Sequence, residues 1–192
     1  MTMTDHDRLL ALLASRSARR GSFTLASGRQ SSLYIDARLT TMSPDGMALI
    51  GPAGLAALRD SSWDVQAIGG LTLGADPISC AISYASAGSV APLRAFTVRK
   101  EAKQHGAGRL IEGPFQAGDR VAIVEDVITT GTSALRAAEA VRSAGGIVAG
   151  VLALVDREEG GRDALEAAGF QVLALTLASD IMTRMPGASQ PM

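Results

Sequence analysis

The chain has 192 residues, 47% of them hydrophobic and 19% charged, a balance that excludes a disordered chain and suffices for a substantial core. A formal net charge of −1 gives no global attraction for nucleic acid or membrane, so any affinity for anions has to come from local clusters. The lone cysteine, Cys80, excludes an internal disulfide; with no apolar run of ~18 residues and no signal-peptide pattern, a cytoplasmic protein is expected.

Thr4 followed by Asp7 has the pattern of a capping box, and Leu9, Leu10, Leu12 and Leu13 follow at helical spacing. Arg16, Arg19 and Arg20 are placed near the end of this helix, where the macrodipole favours cations, with Gly21 as its stop. Phe23–Leu25 and Ser31–Asp36 read as two short strands joined by Ala26-Ser27-Gly28-Arg29-Gln30. This helix and hairpin precede the repeating pattern and are expected to form a small hood over residues 1–40.

Ser43-Pro44 starts a second helix that runs to about Arg59. A short strand, Val65–Ile68, ends in Gly69-Gly70; Leu71-Thr72-Leu73-Gly74 then leads into a helix to about Ala87, with Cys80 expected in its core face. Leu93–Val98 is a strand, and Arg99–Gly113 has no clean period. After the stretch from Val121 come a helix from Ala134, a buried strand Ile147–Val155, a helix at about Gly161–Ala168 stopped by Gly169, and a strand Gln171–Leu177. Asp180–Arg184 reads as a last helical turn, with a frayed tail over residues 185–192. Strands alternating with helices predict an α/β fold: one domain over residues 1–192, its mostly parallel central sheet flanked by helices in a core of about 41–184.

The chain is organised around Val121–Ser133. Val121, Ala122, Ile123 and Val124 form the unbroken apolar run that a sheet covered on both faces requires. Glu125 and Asp126 follow, and because an unpaired buried carboxylate is costly they are expected to be ionised and to face a cleft. Thr129-Thr130-Gly131-Thr132-Ser133 then offers hydroxyls and backbone N–H groups at a helix start, a site for a phosphate dianion, with Gly131 sparing the anion a Cβ. An ordinary strand–turn–helix would need Thr and Ser only as caps, not two acids and four hydroxyls together.

A second polar stretch, Arg99 to Arg109, carries four cations against one acid, with Gly106 and Gly108 softening its backbone. It leaves the Leu93–Val98 strand on the same sheet edge as the acidic pair, so it is placed to fold over an anion as a lid.

Residues 121–133 match, position for position, the thirteen-residue signature of the type I phosphoribosyltransferases. In that family the two acids hold the ribose hydroxyls of phosphoribosyl pyrophosphate (PRPP), and the hydroxyl loop holds its 5-phosphate. Arg99-Lys100-Glu101-Ala102-Lys103-Gln104-His105-Gly106 resembles the flexible loop of the orotate phosphoribosyltransferases, Arg-Lys-x-x-Lys-x-His-Gly. Gly69–Gly74 resembles the family's pyrophosphate loop, with Thr72 where some members carry lysine. Ser27–Asp36 resembles the hood that covers the pyrimidine, with Tyr34-Ile35 in place of a frequent Phe pair and Ala26 in place of a frequent lysine.

The resemblance implies transfer of ribose 5-phosphate from PRPP to orotate, giving orotidine 5'-phosphate and pyrophosphate in UMP synthesis. It implies Lys103, Glu125 and Asp126 as catalytic groups. PRPP contacts would come from Leu71, Thr72, Arg99, Lys100, Lys103, His105 and residues 125–133, including Val127 and Ile128. Orotate contacts would come from Thr129, Tyr34 and Arg157, whose planar fork suits a carboxylate; an ion pair with Glu158 or Glu159 is the structural alternative. Mg²⁺ would be held through PRPP and water with no direct protein ligand, and a homodimer would share lid residues between sites. The rival readings are a purine or uracil phosphoribosyltransferase, which would lack the basic lid, and a PRPP-sensing regulator, which would need a DNA-binding element; none is legible before Phe23.

Overall fold

The computed structural model describes residues 3–24, 30–101 and 110–185. Helix α1 (Asp5–Leu12) begins at the expected capping box: Thr4 Oγ1 accepts the Asp7 N–H at 3.1 Å, and Asp7 Oδ2 accepts the Thr4 N–H at 3.2 Å. It does not run to Gly21. A single π-helical turn, Leu13–Ser17, ends it, and strand β1 (Ala18–Thr24) pairs antiparallel with β2 (Gln30–Ile35). Arg19 and Arg20 therefore lie on a strand, their neighbours Tyr34 and Leu33 satisfying backbone that a helix would otherwise have satisfied. Leu25 and the joining residues 26–29 lie outside the described residues. Leu9, Leu10 and Leu13 are buried in one cluster with Ile50, Leu154 and Ile181, so α1 packs into the core while the hairpin forms the hood.

The short α2 (Arg38–Thr41) was not legible in the sequence. It leads to α3 (Pro44–Asp60), β3 (Ala67–Leu71), α4 (Ala75–Ser86), β4 (Arg94–Val98) and β5 (Ile111–Glu112). The chain continues through β6 (Arg120–Ile128), α5 (Thr132–Ser143), β7 (Ile147–Asp156), α6 (Gly161–Ala167), β8 (Val172–Leu177) and α7 (Ala178–Arg184). The main sheet has six strands in the order β5-β4-β3-β6-β7-β8, parallel except for β5.

Strand periodicity divides the core. Ala122 and Val124 of β6 face one side with Ile78 and Ile82 of α4, Ile50 of α3 and Ile181 of α7. Val121 and Ile123 face the other with Ala134, Ala137 and Val141 of α5 and Leu165 of α6. Both faces are thus covered, which is why β6 and β7 read as continuous apolar runs.

Two expectations change. Gly69 and Gly70 lie within β3 and not in a turn. A Cβ on Gly69 would stand 2.2 Å from the Phe96 carbonyl oxygen, and one on Gly70 2.0 Å from that of Val124. The glycines let crowded strands pack, and the turn proper is Thr72-Leu73-Gly74. Cys80 is exposed and not core, because Ile78, Ser79, Ala81 and Ile82 take the inward face of α4 and leave residue 80 outside.

Candidate active site

The acidic pair belongs to β6 and does not follow it. Register with β7 continues through Glu125↔Ala153, Val127↔Val155 and Ile128↔Asp156, so the backbone stays paired for four residues past the apolar run. Glu125 Oε2 is closed off from solvent and has no hydrogen-bond partner among the described residues. Burial, and then the neighbouring Asp126 charge, push the Glu125 carboxyl up to about 8. The expectation of two ionised groups is corrected: desolvation keeps Glu125 neutral at pH 7. Asp126 is also raised by burial, opposed first by the Val127 N–H that donates to its Oδ1 at 2.9 Å.

Asp126 sits against Gly74, the N-cap of α4, where the helix's positive end faces a carboxylate. Within α4, Asp76 receives two hydroxyls: Thr72 Oγ1 at 2.7 Å and Thr97 Oγ1 at 2.8 Å. The Thr72 N–H donates to the Val98 carbonyl at 2.9 Å. Both protons of Thr72 are therefore engaged within the protein. Leu71 is buried beside Phe96 and Val98 and reaches the cleft only at its edge.

Residues 127–133, with Glu125, bound a small recess beside the main cleft. Gly131 caps α5 in the left-handed region (φ 77°), and no side chain bonds the first N–H groups of the helix among the described residues. Thr130 and Thr132 hydroxyls meet at 3.0 Å, turned toward each other and not onto the helix end. That leaves a 12-residue helix with its N-terminal donors open, the arrangement that suits an anion. A Cβ on Gly131 would stand 3.0 Å from the Gly161 carbonyl and from Leu165 Cγ. The glycine thus serves α6 packing and its own φ, where an open path for the anion was expected. Ile128 is buried in the core, and its carbonyl accepts the Arg157 N–H at 3.0 Å.

The lid leaves from the same edge. The Arg99 N–H donates to the Leu110 carbonyl at 2.8 Å, closing the β4–β5 ladder, so Arg99 and Leu110 meet beside the carboxyl end of β4. The Arg99 guanidinium lies 3.6 Å from Glu112, and the exposed Lys100 lines the cleft. Lys103 and His105 lie outside the described residues.

Arg157 follows β7 and is nearly fully buried. Its Nη2 donates to Ser31 Oγ and the Leu33 carbonyl, each at 2.9 Å, and to Glu159 Oε1 at 2.6 Å. This side chain ties β2 of the hood to the core, as Arg20 Nη2 ties β1 through the Met182 carbonyl at 2.9 Å, and the ion pair foreseen as an alternative is present. Asp156 holds the loop by accepting from the Glu158 N–H at 2.8 Å and Arg162 Nε at 2.7 Å. Tyr34 is exposed on β2, its ring 5.4 Å from that of Phe23.

These groups converge on a cleft of about 360 Å³ lined by Tyr34, Thr72, Lys100, Glu125, Asp126, Thr129, Ser133 and Arg157. Asp36, Arg38 and Gly74 also line it; sequence reasoning placed Asp36 in the hood segment and Gly74 in the pyrophosphate loop without giving either a contact, and missed Arg38. Arg38 is paired with Asp36 (Nε to Oδ1, 2.8 Å) and its charge reaches Asp126. For Arg38 the available signal was a lone arginine two residues past Asp36. A larger cavity of about 720 Å³ lies between the end of α3 and the loop before β4, away from every residue expected in the site. Among the described residues no three His, Cys, Asp or Glu side chains converge as a metal set. The Glu125–Asp126 pair suits hydroxyls or bound water.

No family model matches the chain. Individual proteins do. The orotate phosphoribosyltransferase of Aquifex aeolicus is 44% identical over 185 residues, spanning 95% of this chain and 100% of its own. The crystal structure of the Mycobacterium tuberculosis orotate phosphoribosyltransferase in complex with Fe(III) dicitrate superposes with a TM-score of 0.79 at 43% identity, covering 93% of this chain and 99% of that one. The same enzyme in complex with PRPP gives 0.76 at 40% identity, over 93% and 99% of the two chains. Identity of this level across nearly the whole of both chains places this chain in the orotate phosphoribosyltransferase family.

Proposed function

We propose that the chain transfers ribose 5-phosphate from PRPP to N1 of orotate, releasing pyrophosphate and forming orotidine 5'-phosphate for UMP synthesis. The observation that carries this reading is that the acidic pair, Arg157, Thr129 and Ser133 line one cleft, with the open helix N-terminus in the recess beside it.

Each group has a task that its surroundings suit. The N–H groups at the start of α5, with the Thr129–Ser133 hydroxyls, hold the 5-phosphate. Neutral Glu125 donates to one ribose hydroxyl and Asp126 accepts from another, leaving one negative charge beside a sugar that becomes cationic as the C1–O bond breaks. Arg157 takes the orotate carboxylate, and Tyr34 covers the ring. Orotate arrives as an anion, so no strong base is needed at N1. Arg99, Lys100, Lys103 and His105 receive the charge that develops on pyrophosphate, the interaction that matters most in the transition state. Mg²⁺ would be held through PRPP and water, with no direct protein ligand, and would supply further neutralisation of the leaving group.

In this reading the whole chain acts as one cytoplasmic unit with its hood, paired as a homodimer whose lids reach the partner's site. Among the described residues no helix is long and apolar enough to cross a membrane. Incubation with PRPP, Mg²⁺ and orotate should bleach the orotate ultraviolet band, whereas uracil and purine bases should give no nucleotide. An unchanged orotate band overturns the proposal.

A further inference from the structure

Arg157 is surrounded in a way that its expected role alone does not explain. Nη2 carries two hydrogens, yet Ser31 Oγ, the Leu33 carbonyl and Glu159 Oε1 all lie within 2.9 Å of it. At the same time Nε–H, on the same edge of the guanidinium, is buried and has no acceptor among the described residues. One donor is oversubscribed and its neighbour is idle. A carboxylate binds arginine best across such an edge, with one oxygen on each N–H. Glu159 therefore sits where half of a bidentate ligand belongs.

The three acceptors are not equally fixed. Ser31 and Leu33 belong to β2, paired along its length with β1. The Glu159 side chain is 19% exposed against 4% for Arg157, so the glutamate has a path to solvent that the arginine lacks. At the next residue, Gly160, no heavy atom of the described residues lies within 4 Å of where a Cβ would stand. Movement of Glu159 would leave Nη2 with two acceptors for two hydrogens until a ligand arrived.

We propose that Glu159 is an internal stand-in for the acceptor's carboxylate. It compensates the buried Arg157 charge in the empty cleft and yields that edge to the substrate, so only an acceptor bringing its own carboxylate can replace it. Glu159 thereby competes with the acceptor's carboxylate for Arg157, an inference that rests on the assignment of Arg157 to the orotate carboxylate.

The test is steady-state kinetics on Glu159→Gln, which keeps the shape and removes the charge, with Glu159→Ala as a second variant. Removing the competitor should lower KM for orotate by roughly three- to tenfold, with kcat and KM for PRPP within twofold of wild type. The melting temperature without ligand should fall, and its rise on adding orotate should exceed that of the wild type. Inhibition by uracil, which has no carboxylate, should stay unchanged. A raised or unchanged KM for orotate in both variants overturns the stand-in role and leaves Glu159 as a brace for Arg157. Wild-type protein that fails to consume orotate overturns the proposed function instead, so the two failures are separable.

Discussion

The Asp126 carboxyl lies directly against Gly74: a Cβ at residue 74 would stand 2.6 Å from its Cγ and its Oδ1. Gly74 has φ −60°, a conformation that alanine adopts without strain, so the fold has no backbone reason to reject a side chain there. What has to move is the carboxylate. Gly74→Ala is expected to melt near the wild-type temperature while kcat/KM for PRPP falls on the order of 10²-fold, the usual cost of misplacing a positioned group. Wild-type kcat/KM in this variant would show that Asp126 need not hold its present place.

The neutral Glu125 makes stability depend on pH. Its folded value of about 8 exceeds the ordinary 4.5, so between those limits the folded chain keeps a proton that the unfolded chain has released. The contribution is fully present below about 4.5 and is lost as pH rises through 8. Ligand-free protein should therefore melt at lower temperature as pH is raised across this window. Glu125→Gln should flatten that slope; an identical slope in the two proteins would place the titration elsewhere.

Gly131→Ala tests the anion loop. Residue 131 has φ 77°, and an added Cβ would press on the Gly161 carbonyl and Leu165 at 3.0 Å. Left-handed backbone alone costs an L-residue about 1–2 kcal/mol, which should show as a lower urea midpoint with an unchanged m-value. KM for PRPP should rise as well, since the first N–H groups of α5 move with the loop.

Lys103→Ala tests the lid. Loss of one donor to a developing charge typically costs on the order of 10²–10³ in kcat. That loss is expected here, with the thermal midpoint measured alongside to separate it from unfolding. Wild-type turnover would remove Lys103 from the chemistry.

Much of this protein is settled locally. The unbroken apolar run at Val121–Val124 predicts a strand with both faces covered, and Val121 and Ala122 do face opposite clusters. The capping box at Thr4, the proline after Ser43 and the glycine at 169 mark ends that depend on a few adjacent residues, and the structure places them accordingly. The order of strands along the chain also decides that Glu125, Lys100 and Arg157 emerge at one edge, because parallel strands present their carboxyl ends together.

Other properties depend on residues distant in sequence. Arg19 and Arg20 carry helix-end chemistry in isolation, and pairing with Tyr34 and Leu33 makes them strand residues instead. Glu125 would ionise at its ordinary value in water; burial at the end of β6 keeps it neutral. Gly74 reads in the sequence as the end of a glycine-rich loop, and only when α4 is packed against β6 does the missing Cβ make room for Asp126. Sequence by itself determined which chemical groups this chain carries and at which edge of the sheet they surface, since both follow from periodicity and chain order. Tertiary structure alone decided their protonation and their partners, Glu159 on Arg157 among them, because desolvation and hydrogen-bond geometry depend on what the fold brings within a few ångströms.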